Sequence, residues 1–223
     1  MKNFKSIFIS LLLIVSCFSF IACSGNETKN CSFSLINNNT EYEIYQKYGM
    51  FSKTEGAIVI PDTYKNLPVT VVGSFGCCHG LTSVSGGKNI KTIAVDAFGC
   101  RCWSSNKNVY MHLSEVVFDK DSVLESIGSQ AFFKCVALEK VVLPEGFQTF
   151  GEGVFFGCDK LTELYIYNPI PPTIETGLSS YHLPSGQVTY TTLPSNFTVY
   201  VPNDAVETYK NSTWSIYNIQ SID

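Results

Sequence analysis

The sequence has 223 residues, with 15 Lys and Arg against 19 Asp and Glu, so its formal net charge at pH 7 is −4. This mild acidity argues against nucleic acid as a partner, because phosphate-binding proteins carry a surplus of positive charge. Apolar residues make up 45% of the chain and charged residues 15%, a composition that argues against a disordered protein.

Residues 1–22 are predicted to be a secretory signal, with two lysines ahead of an apolar stretch over residues 7–20. The segment Phe20-Ile21-Ala22-Cys23 resembles a bacterial lipobox, in which cleavage leaves a lipidated cysteine at the new N-terminus. The resemblance implies lipidation of Cys23 and a short tether over residues 23–30. It also implies export and lipid anchoring to the bacterial cell envelope, at the outer membrane and in some cases the cell surface. The alternative is an ordinary signal peptide followed by a cysteine that stands there by chance.

Residues 31–72 are predicted to form an N-terminal β cap and the leading segment of the region that follows. Cys31-Ser-Phe33-Ser-Leu35 and Tyr42-Glu-Ile44-Tyr45 alternate in the way that strands do. Such a cap has a physical purpose, because the open end of a repeat array has to be polar or covered.

Residues 73–167 repeat one pattern four times, at intervals of 23, 34 and 23 residues. Each copy has a phenylalanine followed by a leucine, and three copies have a cysteine midway between them. These residues are Phe75, Phe98, Phe132 and Phe155, then Leu81, Leu113, Leu138 and Leu161, and finally Cys78, Cys135 and Cys158. A unit of ~23 residues is of leucine-rich-repeat length and cannot bury its apolar face alone. The pattern therefore predicts stacked coils.

The segment from Ala131 to Phe150 resembles the BspA-type leucine-rich repeats of bacterial surface proteins. Residues 56–73 and 197–222 are similar to the leading and closing segments of that family, and the resemblance leaves a gap at 168–195. It implies an α/β leucine-rich-repeat solenoid of short parallel strands joined by turns or 3-10 segments. It also implies adhesion or host-matrix binding in some members, without implying a common ligand.

Residues 168–223 are predicted to be an irregular loop, over 168–195, followed by a C-terminal cap that contains a helix. Asn203 or Asp204 can act as the N-cap of this short helix. Trp214 is predicted to cover the open end of the core. Long loops in compact folds are often functional, and the alternative is an inert excursion.

The cysteines allow three interpretations. Cys77-Cys78-His79 and Cys100-Arg-Cys102 lack the spacing of paired zinc ligands, so a metal site is not predicted. The repeat position favours a column of small buried thiols. A disulfide is the third possibility, because an exported protein meets an oxidising compartment, and the hypothesis pairs Cys78 with Cys100 or Cys102.

No catalytic residue, cofactor or metal ligand is predicted. The histidines, His79, His112 and His182, are scattered, and no serine or cysteine lies in a recognised nucleophile motif. An enzyme is therefore only a third class of function, behind binding and structural roles.

The alternation of each strand predicts which side chains face outward. Val117, Val142 and Tyr165 occupy one outward column, Tyr167 is the next outward residue, and a column of mixed charge runs beside them. Solenoids bind through such surfaces, although valine and tyrosine also suit strands for their β-propensity. The insertion over residues 100–111 adds two further candidate contacts, Trp103 and Tyr110, which either face solvent or fold back on the solenoid.

These observations predict a non-catalytic cell-envelope lipoprotein that binds a protein or glycan through its leucine-rich-repeat surface. The expected partners are that ligand and, through the lipid anchor, a membrane, with no nucleic acid. The alternative is a structural module of a larger envelope complex.

Overall fold

The structure, a computed structural model, describes residues 31–46, 55–100 and 112–222. In chain order the strands are β1 (Cys31–Ile36), β2 (Glu41–Gln46), β3 (Glu55–Ile60), β4 (Thr63–Tyr64), β5 (Leu67–Val72), β6 (Gly80–Gly86), β7 (Thr92–Ile93), β8 (Glu115–Val117), β9 (Ser126–Ile127), β10 (Lys140–Leu143), β11 (Thr149–Phe150), β12 (Glu163–Ile166), β13 (Thr173–Ile174), β14 (Ser180–His182), β15 (Val188–Tyr190), β16 (Thr198–Val201) and β17 (Asn218–Ser221). The helical segments are a 3-10 turn (Asn203–Ala205), helix α1 (Val206–Lys210) and a second 3-10 turn (Thr213–Ile216). The predicted signal, Cys23, Cys102, Trp103 and Tyr110 lie outside the described residues.

Two sheets run along the molecule. Sheet B has the spatial order β17-β16-β12-β10-β8-β6-β3, and all of its neighbouring strands are parallel. Sheet A has the order β1-β2-β5-β7-β9-β11-β13, parallel from β2 onward, with β4 beside β5. Each coil therefore gives one strand to each sheet and turns along a third side, which is the predicted solenoid.

The inward side chains of successive coils lie over one another in files, because the strands pair in register. In sheet B this file is Val84, Val116, Val141, Leu164 and Val199, and in sheet A it is Val72, Ile93, Ile127, Phe150 and Ile174. Each of these side chains is buried except Ile174, which is half-buried. Burial of each such side chain contributes roughly 1.5–3 kcal/mol, so the files supply the main stabilisation of the coils.

The phenylalanines of the repeat stack along the third side. Ring centroids of Phe75, Phe98, Phe132 and Phe155 follow one another at 5.6, 5.3 and 5.7 Å, with interplanar angles of 18°, 4° and 20°. Backbone hydrogen bonds also join the coils here, for example from Phe132 N–H to the Val154 carbonyl at 3.0 Å. The predicted phenylalanine file is confirmed, and it closes the core between the two sheets.

Residues 168–195 differ from the irregular loop that was predicted. Thr173 and Ile174 form β13 and continue sheet A, and Leu178 lies 23 residues after Phe155, whose N–H donates to the Leu178 carbonyl at 2.8 Å. Leu178 is fully buried. The segment therefore completes a fifth coil, in which leucine replaces phenylalanine, and only the hairpin β14–β15 extends from it. A repeat search based on phenylalanine misses this coil.

The repeat cysteines form the predicted column of buried thiols. Cys135 Sγ donates to the Phe98 carbonyl at 3.4 Å, and Cys158 Sγ donates to the Phe132 carbonyl at 3.1 Å. Burial raises the pKa of both thiols well above the ordinary value. Because the thiolate is the reactive form of cysteine, these two side chains serve as small apolar packing groups.

The disulfide hypothesis was wrong in its choice of cysteine. Cys78 and Cys100 are both thiols, whereas Cys77 is disulfide-bonded. Cys78 lies fully inside the core column, where its Sγ donates to Gln46 Oε1 at 2.8 Å. Its neighbour Cys77 lies in the turn before that column, with a φ of +61°. Sequence spacing does not show which of two adjacent cysteines forms a disulfide. The position of the core does, because it buries Cys78 as a thiol.

The N-terminal cap is the antiparallel hairpin β1–β2, which adds to the edge of sheet A through β2 and β5. Glu41 connects three parts of this end of the molecule. Its carboxylate accepts hydrogen bonds from Lys91 Nζ at 2.8 Å, Thr70 Oγ1 at 2.8 Å and Asn37 Nδ2 at 2.6 Å. These donors lower the pKa of the Glu41 carboxyl from 4.5 to about 2. The charged form of Glu41 is thus the form that holds the hairpin in place.

The C-terminal cap places Trp214 over the end of the core, as predicted, with no exposed surface. Its Nε1–H donates to the Pro172 carbonyl at 2.8 Å. The predicted N-cap was wrong, because Asn203 and Asp204 lie within the 3-10 turn that precedes α1, and no side chain caps either segment. No helix in the described part of the chain has the length and apolar character needed to cross a membrane.

Candidate functional site

The outward face of sheet B carries the aromatic side chains that the sequence pointed to. Parallel register places Val117, Val142, Tyr165 and Tyr200 side by side on four consecutive strands. Tyr167 follows β12 immediately. All five side chains are half-buried, and together they are called the tyrosine face below.

A polar column runs beside the tyrosine face. The same register aligns Glu115, Lys140, Glu163 and Thr198, two residues before the aromatic column on each strand. Lys140 Nζ lies 3.4 Å from Glu115 Oε1, and both side chains are more than one-third exposed. A partly open groove of about 310 Å³ follows this column and is lined by Ser114, Glu115, Glu139, Lys140, Thr162 and Glu163.

Tyr165 is covered on both faces of its ring. Tyr200, on β16, stacks on it with a centroid distance of 4.6 Å and an interplanar angle of 12°. Lys140 Nζ, on β10, lies 5.5 Å from the centroid of the Tyr165 ring. Because β12 lies between β10 and β16, these two neighbours approach from opposite sides. The ring therefore presents its edge and hydroxyl to solvent.

The environment of Tyr165 also keeps its hydroxyl protonated. Burial raises the pKa of this phenol to about 12, and the nearby Glu163 carboxylate adds to the increase. A protonated phenol both donates and accepts hydrogen bonds, which suits recognition rather than base catalysis.

The structure brings together four of the six predicted binding residues, Val117, Val142, Tyr165 and Tyr167, on one face. Trp103 and Tyr110, the other two, lie outside the described residues. Sequence reasoning missed Tyr200. The signal for it was present, because Tyr200-Val201-Pro202 repeats the pattern of Val142-Leu143-Pro144.

A larger groove, of about 510 Å³, follows sheet A instead. Its walls are small side chains and hydroxyls, including Thr92, Ser126 and Thr149, with Glu175 among the lining residues. Thr92 and Ser126 already hydrogen-bond to each other at 3.1 Å. Phe150, the aromatic residue in its lining, is buried in the core, and the lining holds no pair of opposite charges. The tyrosine face is therefore the stronger candidate, although the groove beside it is smaller.

The described residues contain no group of three His, Cys, Asp or Glu side chains that could hold a metal ion. His182, one of the scattered histidines, pairs with a carboxylate, because its Nδ1 lies 2.7 Å from Glu152 Oε1. His182 lies in the hairpin β14–β15, and Glu152 lies in the coil just after β11.

Several solved structures are similar to this chain, and three of them are bacterial proteins of the following kinds. The T. pallidum leucine-rich repeat protein TpLRR is 24% identical with a TM-score of 0.47, and the match covers 63% of this chain and 60% of that one. A leucine-rich repeat protein from Bacteroides ovatus is 18% identical with a TM-score of 0.46, covering 86% and 40%. The pneumococcal vaccine antigen PcpA is 17% identical with a TM-score of 0.44, covering 89% and 64%. The chain thus spans less than two-thirds of the length of each.

No curated protein matches the sequence. The model of the BspA-type leucine-rich-repeat region matches residues 75–207 in six copies. This match covers more than half of the chain and extends beyond the four repeats visible from phenylalanine spacing, into the fifth coil and the C-terminal cap. The protein therefore belongs to the BspA-type leucine-rich-repeat family.

Proposed function

We propose that this protein is a non-catalytic envelope protein that binds another protein through the tyrosine face. The alignment of Val117, Val142, Tyr165 and Tyr200 on adjacent parallel strands is the observation that carries the proposal. Half-buried tyrosines beside mixed charge resemble the centre of protein interfaces, where tyrosine is enriched and is held in place by its neighbours.

A protein ligand fits this face better than a glycan. Tyr200 and Lys140 cover the two faces of the Tyr165 ring, so that ring has no open face on which to stack against another planar or apolar surface. What remains available is the ring edge, the hydroxyl and the flat valine surface. Edge contacts and hydrogen bonds of this kind suit the side chains and backbone of a protein partner.

The proposal includes attachment to the bacterial envelope through a lipid on Cys23. The lipobox-like Phe20-Ile21-Ala22-Cys23 supports it. Several acyl chains on one cysteine would anchor the protein stably, since each buried methylene contributes about 0.8 kcal/mol. Metabolic labelling with radioactive palmitate should mark the native protein and leave a Cys23→Ser variant unlabelled. Equal labelling of both would contradict the anchor.

Replacing Tyr165 and Tyr167 together with serine is expected to abolish capture of the partner. The double variant removes the ring edges and hydroxyls while the inward file of sheet B stays intact. Residues 24–223, immobilised on a sensor, would be exposed to purified extracellular-matrix proteins, to a glycan array and to bacterial envelope extract. We expect binding in the matrix-protein arm and a loss of at least about tenfold in the variant, the size expected for hot-spot residues.

The matched control is Val188→Ser with Tyr190→Ser, which removes exposed apolar side chains from the hairpin β14–β15 instead. Melting temperatures of all variants would be compared so that lost binding is not confused with lost folding. Unchanged capture by the tyrosine variant would refute the tyrosine face. Binding only in the glycan arm would refute the protein ligand, and co-purification with one fixed envelope protein would favour the structural-module alternative.

A further inference from the structure

The hairpin β14–β15 is a two-stranded sheet separate from sheets A and B. It packs on the third side of the solenoid through Tyr181. The Tyr181 ring makes edge contacts with Phe133 and Phe156, at centroid distances of 6.2 and 5.1 Å, and those two rings stack on each other at 5.2 Å. The hairpin therefore covers a half-buried aromatic pair.

The coil beneath the hairpin is shaped to receive it. Gly153 has a φ of +57°, and a Cβ at this position would lie 3.1 Å from Tyr181 Cδ1 and 3.2 Å from Tyr181 Cβ. Gln130, at the equivalent position one coil earlier, has the same φ of +57° and carries a side chain. Because Gln130 adopts this φ with a side chain, the close approach of Tyr181 is what favours glycine at position 153.

One carboxylate connects the hairpin to this coil at two points. Glu152 Oε2 accepts a hydrogen bond from the backbone N–H of His182 at 3.2 Å, and Glu152 Oε1 lies 2.7 Å from His182 Nδ1. These contacts lower the pKa of the Glu152 carboxyl. The His182 side chain is about half exposed, at 48%, so protons reach it freely from solvent.

Lys134 and Glu175 are charged residues on the neighbouring parts of the described chain. On the coil beneath, Lys134 Nζ lies 5.3 Å from the centroid of the Phe133 ring. Glu175, in the segment leading to the hairpin, lines the groove of sheet A. The hydrogen bonds and the charge interaction that lower the pKa of the Glu152 carboxyl come from His182. The charge state of the imidazole therefore decides whether the contact is an ion pair or a hydrogen bond between the carboxylate and a neutral imidazole.

We propose that Glu152 and His182 form a pH-sensitive clasp that holds the hairpin β14–β15 over Phe133 and Phe156. In its protonated form, which lower pH favours, the imidazolium pairs with the Glu152 carboxylate and the hairpin is held closed. In its neutral form, which higher pH favours, the ion pair is lost and the hairpin opens more often. An exposed ion pair of this kind changes an opening equilibrium by up to about fivefold.

The test is amide hydrogen exchange of the native protein at pH 5.5 and pH 8.0, expressed as protection factors so that the intrinsic pH dependence of exchange is removed. The Leu183 N–H, which donates to the Gln187 carbonyl at 2.7 Å, reports the hairpin. The Phe132 N–H, in the core ladder, is the internal reference. The protection factor of the Leu183 N–H should be about three- to fivefold higher at pH 5.5 than at pH 8.0. The protection factor of the Phe132 N–H should be the same at both pH values.

Two variants complete the experiment. Glu152→Gln keeps the size and hydrogen-bonding capacity of the side chain, so it should retain a closed hairpin but lose the pH dependence. Gly153→Ala should lower Leu183 protection at both pH values while keeping their ratio, with Gln130→Ala as the matched control that changes neither. A pH ratio near one in the native protein, or an unchanged ratio in Glu152→Gln, would overturn the proposal.

Discussion

Replacing Phe132 with alanine is expected to lower the free energy of unfolding by about 3–5 kcal/mol. Phe132 is fully buried in the middle of the third side, with its ring 5.3 Å from Phe98 and 5.7 Å from Phe155. Its loss removes apolar burial and leaves a cavity between two coils. The backbone hydrogen bonds that join these coils keep the cavity from closing. Urea unfolding followed by circular dichroism measures the effect.

The control for this variant is Tyr190→Ala. Tyr190 is also aromatic, but 74% of its surface is exposed, so its removal should change the free energy of unfolding by no more than about 0.5 kcal/mol. A loss below about 1 kcal/mol for Phe132→Ala would show that the phenylalanine file is not a continuous core.

Replacing Trp214 with alanine is expected to cost a similar amount, about 3–5 kcal/mol, by opening the C-terminal end. The Trp214 ring lies 5.7 Å from Phe150, 5.8 Å from Tyr209 and 5.7 Å from Tyr217. Its removal also leaves the Pro172 carbonyl without the indole donor. Because a solenoid is stabilised between neighbouring coils, we expect the loss to appear first in the last coils and to spread inward.

The variant Trp214→Phe separates packing from hydrogen bonding. Phenylalanine keeps most of the ring contacts but not the N–H that donates to Pro172, so it should cost only about 1–3 kcal/mol. Hydrogen exchange of the backbone amides in β16 and β12 would locate the loss. Equal stability of Trp214→Ala and the native protein would show that the cap is dispensable.

The periodic part of the fold was predictable because each coil buries the same kinds of side chain at the same spacing. Phe75, Phe98, Phe132 and Phe155 could be aligned by eye, and they stack as expected. Leu178 escaped the same method because leucine fills the same space as phenylalanine there. Physical burial tolerates such an exchange of apolar groups, whereas a search for one residue type does not.

The candidate site was predictable in part for the same reason. Strand alternation identified Val117, Val142 and Tyr165 as outward residues, and register then placed them together. The contact between Tyr165 and Tyr200 was not predicted, because 35 residues separate them in the chain and the hairpin β14–β15 lies between. Local sequence patterns describe one coil at a time. The hairpin β14–β15 interrupts the spacing between coils, so the sequence does not show that Tyr200 follows Tyr165 in the outward column.

The sequence by itself determined the coil length, the inward files and the family, since all three follow from a period that local apolar burial imposes on the chain. Only the tertiary structure decided that Cys77 rather than Cys78 is disulfide-bonded, that Tyr200 covers Tyr165, and that Glu152 connects to His182. Each of these depends on how close residues from different coils approach one another. That distance is set by the stacking of whole coils and the path of the insertions, neither of which leaves a periodic trace in the sequence.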